Sequence, residues 1–236
     1  MAAVIIYDGV ALEDVAPVMV EDVRVSAIPM TVTARQRPVN WGADYVRITG
    51  GSRTVAVTFA LLTQDKEQRA ESLSQITRWA RKDEPKKLYL PWLTGKYLEC
   101  ICTALPDPSA RQWWESKLRL TFTTYDNPYW TSDALKTASC GNTPFSVMGD
   151  APPLMQITRT LSSAASEQAY TSGGISMTFS TIPAGDMVID LNRQTAAVNG
   201  SSIMSSYEFG SHFIRPRTGT QTITGTGTVS WRERWE

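Results

Sequence analysis

A single histidine and a pair of strand-spaced aspartates are the places where chemistry would have to begin in this sequence. His212 stands in FGSHFIRPR. As a general acid or base it would need a nucleophile or a carboxylate within reach in a pocket, and no neighbouring motif supplies one, so it reads as a loop or strand-edge residue. Asp186 and Asp190 lie four apart and therefore on one face of an extended segment, which raises the two facing carboxylates of glycoside hydrolysis. Asp190, however, opens DLNRQ, a turn sequence in which an aspartate side chain bonds nearby backbone amides, and turn stabilisation is the better reading.

Cys100, Cys102 and Cys140 are odd in number and lack CxxC spacing, which excludes a disulfide framework and a zinc knuckle as the organising principle. Cys100 and Cys102 fall on the same strand face as Leu98 and Ala104 and read as buried, reduced thiols. No GxSxG, Walker, GxGxxG, HExxH or EF-hand motif occurs, so no cofactor and no metal is expected. Eight tryptophans are many for 236 residues. Exposed indoles hold sugars by stacking, and buried ones serve cores and interfaces equally well. Trp231 and Trp235 are the candidates for a glycan platform. Trp113 and Trp114, adjacent in a strand pattern, must face opposite ways.

The elements that would position these residues are mostly strands. In SRTVAVTFALL, Val55, Val57, Phe59 and Leu61 alternate with Thr54, Ala56, Thr58 and Ala60, predicting a half-buried strand. In WESKLRLTFTTY, Trp114, Leu118, Leu120 and Phe122 form the dry side. KLYLPW and KYLECICTAL flank Thr94-Gly95 as a hairpin. A single helix is expected near 66–82: Ala70, Leu73, Ile76, Trp79 and Ala80 recur at helical spacing, Asp65 caps with Gln68 three residues on, and Pro85 ends it.

After Tyr125 charge thins out and Ser, Thr, Gly and Pro rise, with Pro128 in the turn DNPYW. We expect a first domain over 1–130, a linker over 131–152 and a second all-β domain over 153–236. In the latter, PLMQITRT, GISMTFS, MVIDL and TAAV read as strands, and Asn199-Gly200 as a type I′ turn. The run TGTQTITGTGTVSWRERW reads as one long strand, with six threonines on one face and Ile223, Val229, Trp231 and Trp235 on the other.

The balance of 23 Lys+Arg against 23 Asp+Glu leaves no net field to hold nucleic acid. MAAVIIYDGVALEDV has no signal-peptide pattern, and no stretch approaches the roughly 20 apolar residues of a membrane-spanning helix. A protein made in the cytoplasm, without membrane insertion, is expected.

The succession IIYDGV, PVNWGADYVRITGGSRTVAVTF, one helix, KLYLPW/KYLECICTAL and LRLTFTTYDNPYW resembles the N-terminal domain of siphophage distal tail proteins. PLMQITRT, MVIDLNRQTAAVNG and the Pro-Arg-Thr-Gly-Thr turn, with Gly219, resemble that family's C-terminal domain. The resemblance covers essentially the whole chain. It implies a mainly β protein: a β-sandwich-like belt domain with one α-helix, then a galectin-like antiparallel β-sandwich. It further implies a homo-oligomeric ring, generally six subunits, in the virion tail tip. That ring would join the tail tube protein to a tail-associated or receptor-binding hub, and DNA would pass through unread. Such a protein is not an enzyme. WRERWE and SHFIRPR contain residue types of a galectin sugar site but not its order or spacing. Host-glycan binding through Trp231 and Trp235 is the alternative reading.

Overall fold

Alternation of apolar residues along KLRLTFTT and TVAVTFAL can be satisfied only by strands with a covered face, and these two segments pair at the heart of the first of two units. A computed structural model describes residues 4–36, 43–106 and 117–236, and the chain divides into units 1–130 and 131–235. The first contains β1 (Ile6–Tyr7), β2 (Val10–Ala11), α1 (Leu12–Val15), β3 (Val18–Val25), β4 (Met30–Gln36), β5 (Ala43–Gly50), β6 (Thr54–Leu61), α2 (Lys66–Ala80), β7 (Lys86–Tyr89), β8 (Lys96–Ala104) and β9 (Lys117–Thr124). The division falls within β10 (Trp130–Ser132).

In the first unit the antiparallel order is β3–β6–β9–β8–β7–β1–β2. β6 was expected to be half-buried, but Ala56 and Ala60 on its second face are buried as well. It is a central strand with a neighbour on each edge, and a methyl side chain lets adjoining groups close over it. β7 and β8 form the expected hairpin, with Leu88 opposite Leu98. Gly95 closes it at φ 73°.

Asp65 caps α2, its Oδ1 accepting from the Gln68 amide at 2.8 Å, and the helix ends at Ala80, ahead of Pro85. Its buried stripe differs from expectation: Ala70 is exposed, while Arg69 and Ser72 join Ile76, Trp79 and Ala80 in the covered face. The arginine's aliphatic stem can cover apolar surface that a methyl cannot reach. Trp79 completes an edge-to-face trio with Tyr7 and Phe122 at centroid separations of 5.6, 5.0 and 6.2 Å. Its indole N–H donates to the Val10 carbonyl at 3.1 Å.

The second unit contains β11 (Lys136–Ser139), β12 (Phe145–Val147), β13 (Ala151–Leu161), β14 (Gln168–Ser172), β15 (Ile175–Phe179), β16 (Gly185–Asp190), β17 (Thr195–Val198), β18 (Ser201–Ser202), a 3₁₀ turn (Met204–Ser206), β19 (Gly219–Gln221) and β20 (Thr228–Trp235). Half of residues 131–152, the span read from composition as a linker, is strand, and β11 and β12 pair within this unit. One antiparallel sheet runs β18–β17–β16–β13–β20–β11, and the pairs β14–β15 and β12–β19 stand apart from it. Phe145, Tyr170, Met177 and Phe179 from the small pairs meet Met155, Ile157, Met187, Ile189 and Trp231 from the large sheet in a single core.

The threonine-rich run is not one strand. β19 pairs with β12, whereas β20 pairs with β13 and β11. The break is forced at Gly225 and Gly227, with φ 135° and 134°. A Cβ on Gly225 would stand 2.5 Å from the Tyr170 ring, and one on Gly227 would stand 2.6 Å from the Thr158 carbonyl oxygen. Only glycine permits that approach, so the alternating threonines are divided between two sheets.

Candidate functional site

The residues singled out for chemistry are held in structural roles. Asp190 Oδ1 accepts from the amides of Asn192 at 3.0 Å and Arg193 at 2.9 Å, the turn geometry its sequence called for. Asp186 accepts from the Thr160 hydroxyl at 2.7 Å. A step of four positions along the strand sets the two aspartates about 13 Å apart at roughly 3.3 Å per residue, beyond the roughly 5–9.5 Å that glycosidase pairs use. His212 is exposed, and its amide donates to the Ser176 carbonyl at 3.0 Å. Among the described residues its imidazole makes no hydrogen bond, and no three His, Cys, Asp or Glu come together as metal ligands. No helix among them is long and apolar enough to cross a membrane.

The indole pair at the C-terminus does not form an open platform. Trp231 is only 4% exposed and packs on Phe145 at 4.8 Å, so no face remains on which a sugar could stack; Trp235 is half-buried. The adjoining charges are also engaged. Arg232 donates to the carbonyls of Ser132 and Asp133, and Arg234 donates to that of Pro152. Glu233, buried on the same side of β20 as Trp231, accepts from Lys136 Nζ at 2.7 Å and from the Met148 amide at 2.8 Å. Burial pushes its carboxyl up, but these hydrogen bonds outweigh that and hold it below the ordinary carboxylate range. Residues 231–234 thus clamp their own unit.

The turn residues have equally local tasks. Asn199 and Gly200 both take positive φ, 49° and 80°, between β17 and β18. Asn199 Oδ1 also accepts from the Asp186 amide at 2.9 Å. Gly219 begins β19 at φ 88°. Pro128 follows Asn127, whose Oδ1 accepts from the Tyr129 amide at 3.2 Å. Trp41, Trp113 and Trp114 lie outside the described residues.

The element that the fold leaves incomplete is one the sequence reading did not single out. β4 and β5 pair only with each other among the described residues. On β4, Met30 is 60% and Val32 59% exposed, and their neighbours Thr31, Thr33 and Ala34 are exposed too. Across the pair, Arg47 and Thr49 of β5 are likewise exposed. A two-stranded ribbon is at best marginally stable alone in water, and both of its edges carry unpaired backbone groups that invite another chain. The alternating Thr and Val of MTVT were the available signal, masked by the short span and the polar residues on both sides.

Comparison with known proteins places these features. Residues 148–235 match the family described as siphovirus-type tail component, C-terminal domain. Over 100% of both chains the fold is similar to that of the Dit protein of phage SPP1, described as a paradigm of the hub adsorption apparatus in phages infecting Gram-positive bacteria, with TM-score 0.77 and 16% identity. Two structures of the phage p2 baseplate in its activated conformation, with Ca and with Sr, align at 7% and 8% identity. They cover 99% and 98% of this chain and 98% and 97% of theirs, at TM-score 0.47. No curated protein matches the chain. The mainly β, antiparallel architecture is similar to that of the SPP1 Dit protein, and the C-terminal family match falls where the sequence resemblance put it.

Proposed function

We propose that this chain is a structural, non-enzymatic subunit of a long-tailed phage or prophage tail tip, forming a closed ring, generally of six copies, between the tail tube and a hub that bears the receptor-binding apparatus. The β4–β5 ribbon is the observation that carries this reading. Neighbouring copies would pair its edges and cover Met30 and Val32, and a heterologous contact repeated with closing rotation yields a ring. Full burial of a Val or Met side chain contributes about 1.5–3 kcal/mol, so covering the exposed three-fifths of each would add about 1–2 kcal/mol per residue at every contact. The family match over 148–235 supports a tail component, and the whole-chain similarity to a distal tail protein supports its position. Equal numbers of acidic and basic residues suit a conduit through which DNA passes without being held. In this reading residues 1–130 build the belt, and the second unit is a galectin-like domain available for host attachment.

Light scattering and electron microscopy of the full chain, alone and with tail tube and hub proteins, test the proposal. Rings are expected, and Val32→Glu should return the protein to monomers because a charge would have to be buried at each contact. A monomer at all concentrations and with both partners present, or rings unaffected by Val32→Glu and Met30→Glu together, would overturn it.

A further inference from the structure

The second unit carries a cleft of about 270 Å³ that the ring reading does not use. Arg215 and Arg217 line it, Ser172 and Thr220 add hydroxyls, and Ile175 and Ile214 give it an apolar patch. Local sequence accounts for the arrangement. Ile214 is buried in the core and anchors the segment just before the arginines. Pro216 fixes its own φ and disfavours helical backbone at Arg215, and residues two apart in an extended chain project to the same side. The Gln221 side chain donates to the Arg217 carbonyl, tying the loop to β19.

Both arginine side chains are exposed. Among the described residues neither guanidinium has a hydrogen-bond or ion-pair partner, and no carboxylate lines the cleft. Two guanidinium groups lining one cleft without a counter-charge are suited to an oxyanion. The surrounding hydroxyls match a ligand rich in hydroxyls. The volume, below the roughly 300–1,000 Å³ of pockets for drug-sized molecules, admits one sugar- or polyol-sized unit.

We propose that this cleft binds an anionic, polyhydroxylated unit, a sugar or polyol bearing a phosphate or carboxylate. Arg215 and Arg217 take the oxyanion, Ser172 and Thr220 meet the ligand's hydroxyls, and Ile175 and Ile214 lie under its C–H face. No tryptophan lines the cleft, and the site does not depend on ring formation, since a monomer would bind as well.

Calorimetric titration and saturation-transfer NMR on the full chain decide the matter. The probes are glucose 6-phosphate, glycerol 3-phosphate, glucuronate, glucose, inorganic phosphate and a triglutamate peptide. At least one anionic saccharide or polyol should bind; glucuronate against the two phosphates tells which oxyanion is preferred, and glucose should not bind. Arg215→Gln with Arg217→Gln should weaken binding about tenfold or more, as expected for losing a charge-assisted hydrogen bond, without changing the melting temperature. Arg193→Gln, an exposed arginine outside the cleft, should leave binding intact. The proposal is overturned if none of the anionic saccharides or polyols binds, if the double variant binds like the parent, or if inorganic phosphate or triglutamate binds as tightly as the sugar phosphate.

Discussion

Replacing Glu233 separates a structural clamp from a remnant sugar site. Its side chain is 6% exposed and receives two hydrogen bonds, one from Lys136 Nζ and one from the Met148 amide, while the Lys136 side chain is 41% exposed. Because solvent reaches the lysine, the ion pair itself contributes only about 0–1 kcal/mol. The larger part comes from the amide bond to an ionised acceptor, about 1.5–3 kcal/mol, and from the space that a smaller side chain leaves beside Trp231. Glu233→Ala should therefore cost about 2–4 kcal/mol, whereas Glu233→Gln, which keeps an oxygen for the Met148 amide, should cost about 1 kcal/mol. The folded carboxyl titrates below its ordinary value, so its contribution is complete above the unfolded pKa and is lost as pH falls through the folded one. The gap between the parent and Glu233→Gln should hold at neutral pH and close as pH falls below the ordinary carboxylate range. Hydrogen exchange at the β13 and β20 amides reads this unit on its own, which a global melt of a two-unit chain does not. Equal costs for the two variants, or a gap that persists unchanged in acid, would refute the reasoning.

Two further outcomes follow from packing. Gly227→Ala places a Cβ 2.6 Å from the Thr158 carbonyl at φ 134°, so the second unit should lose about 2–4 kcal/mol with both strain and overpacking; a variant as stable as the parent in denaturant titration would contradict the close backbone approach at that residue. All three cysteines are free. Burial pushes the Cys100 thiol far above its ordinary range, and it also raises those of Cys140 and of Cys102, the last to about 11. Native protein at pH 7.5 should thus be alkylated slowly and denatured protein at three sites, and fast modification of any one native thiol would sink the assignment.

Sequence legibility followed the range of the interaction involved. Strands β6, β8 and β9 and the cap at Asp65 depend on residues one to four apart, and all could be read directly. So could the Asp190 turn, whose partners are two and three residues away. The helix stripe was misplaced at Ala70 because size, not hydropathy alone, decides which side chain spans the gap, and Arg69 does. The threonine run misled because period-2 alternation survives a change of sheet; the informative residues were Gly225 and Gly227, which the alternation passes over. Trp231 was ambiguous because an indole suits a core and a platform equally, and only Phe145, 86 positions away in sequence, decides between them. Asn192 escaped notice altogether: it accepts from the Met155 amide at 2.7 Å and donates to the Pro153 carbonyl at 2.9 Å, contacts across more than thirty residues.

The same accounting of polar groups bears on where function can reside. In the second unit, Asp186, Asp190, Asn192, Arg232, Glu233 and Arg234 all have partners within that unit, so an external ligand would have to displace a bond already made. Such exchange costs the desolvation of the group left behind. Arg215 and Arg217 bear no such cost, and neither do Met30 and Val32, whose exposed surface gains by being covered. Assembly and recognition would accordingly draw on different units and on groups of opposite character, apolar in one and cationic in the other. High salt therefore distinguishes them: it should weaken the anion site by screening while leaving an interface built on apolar burial and paired strand edges intact.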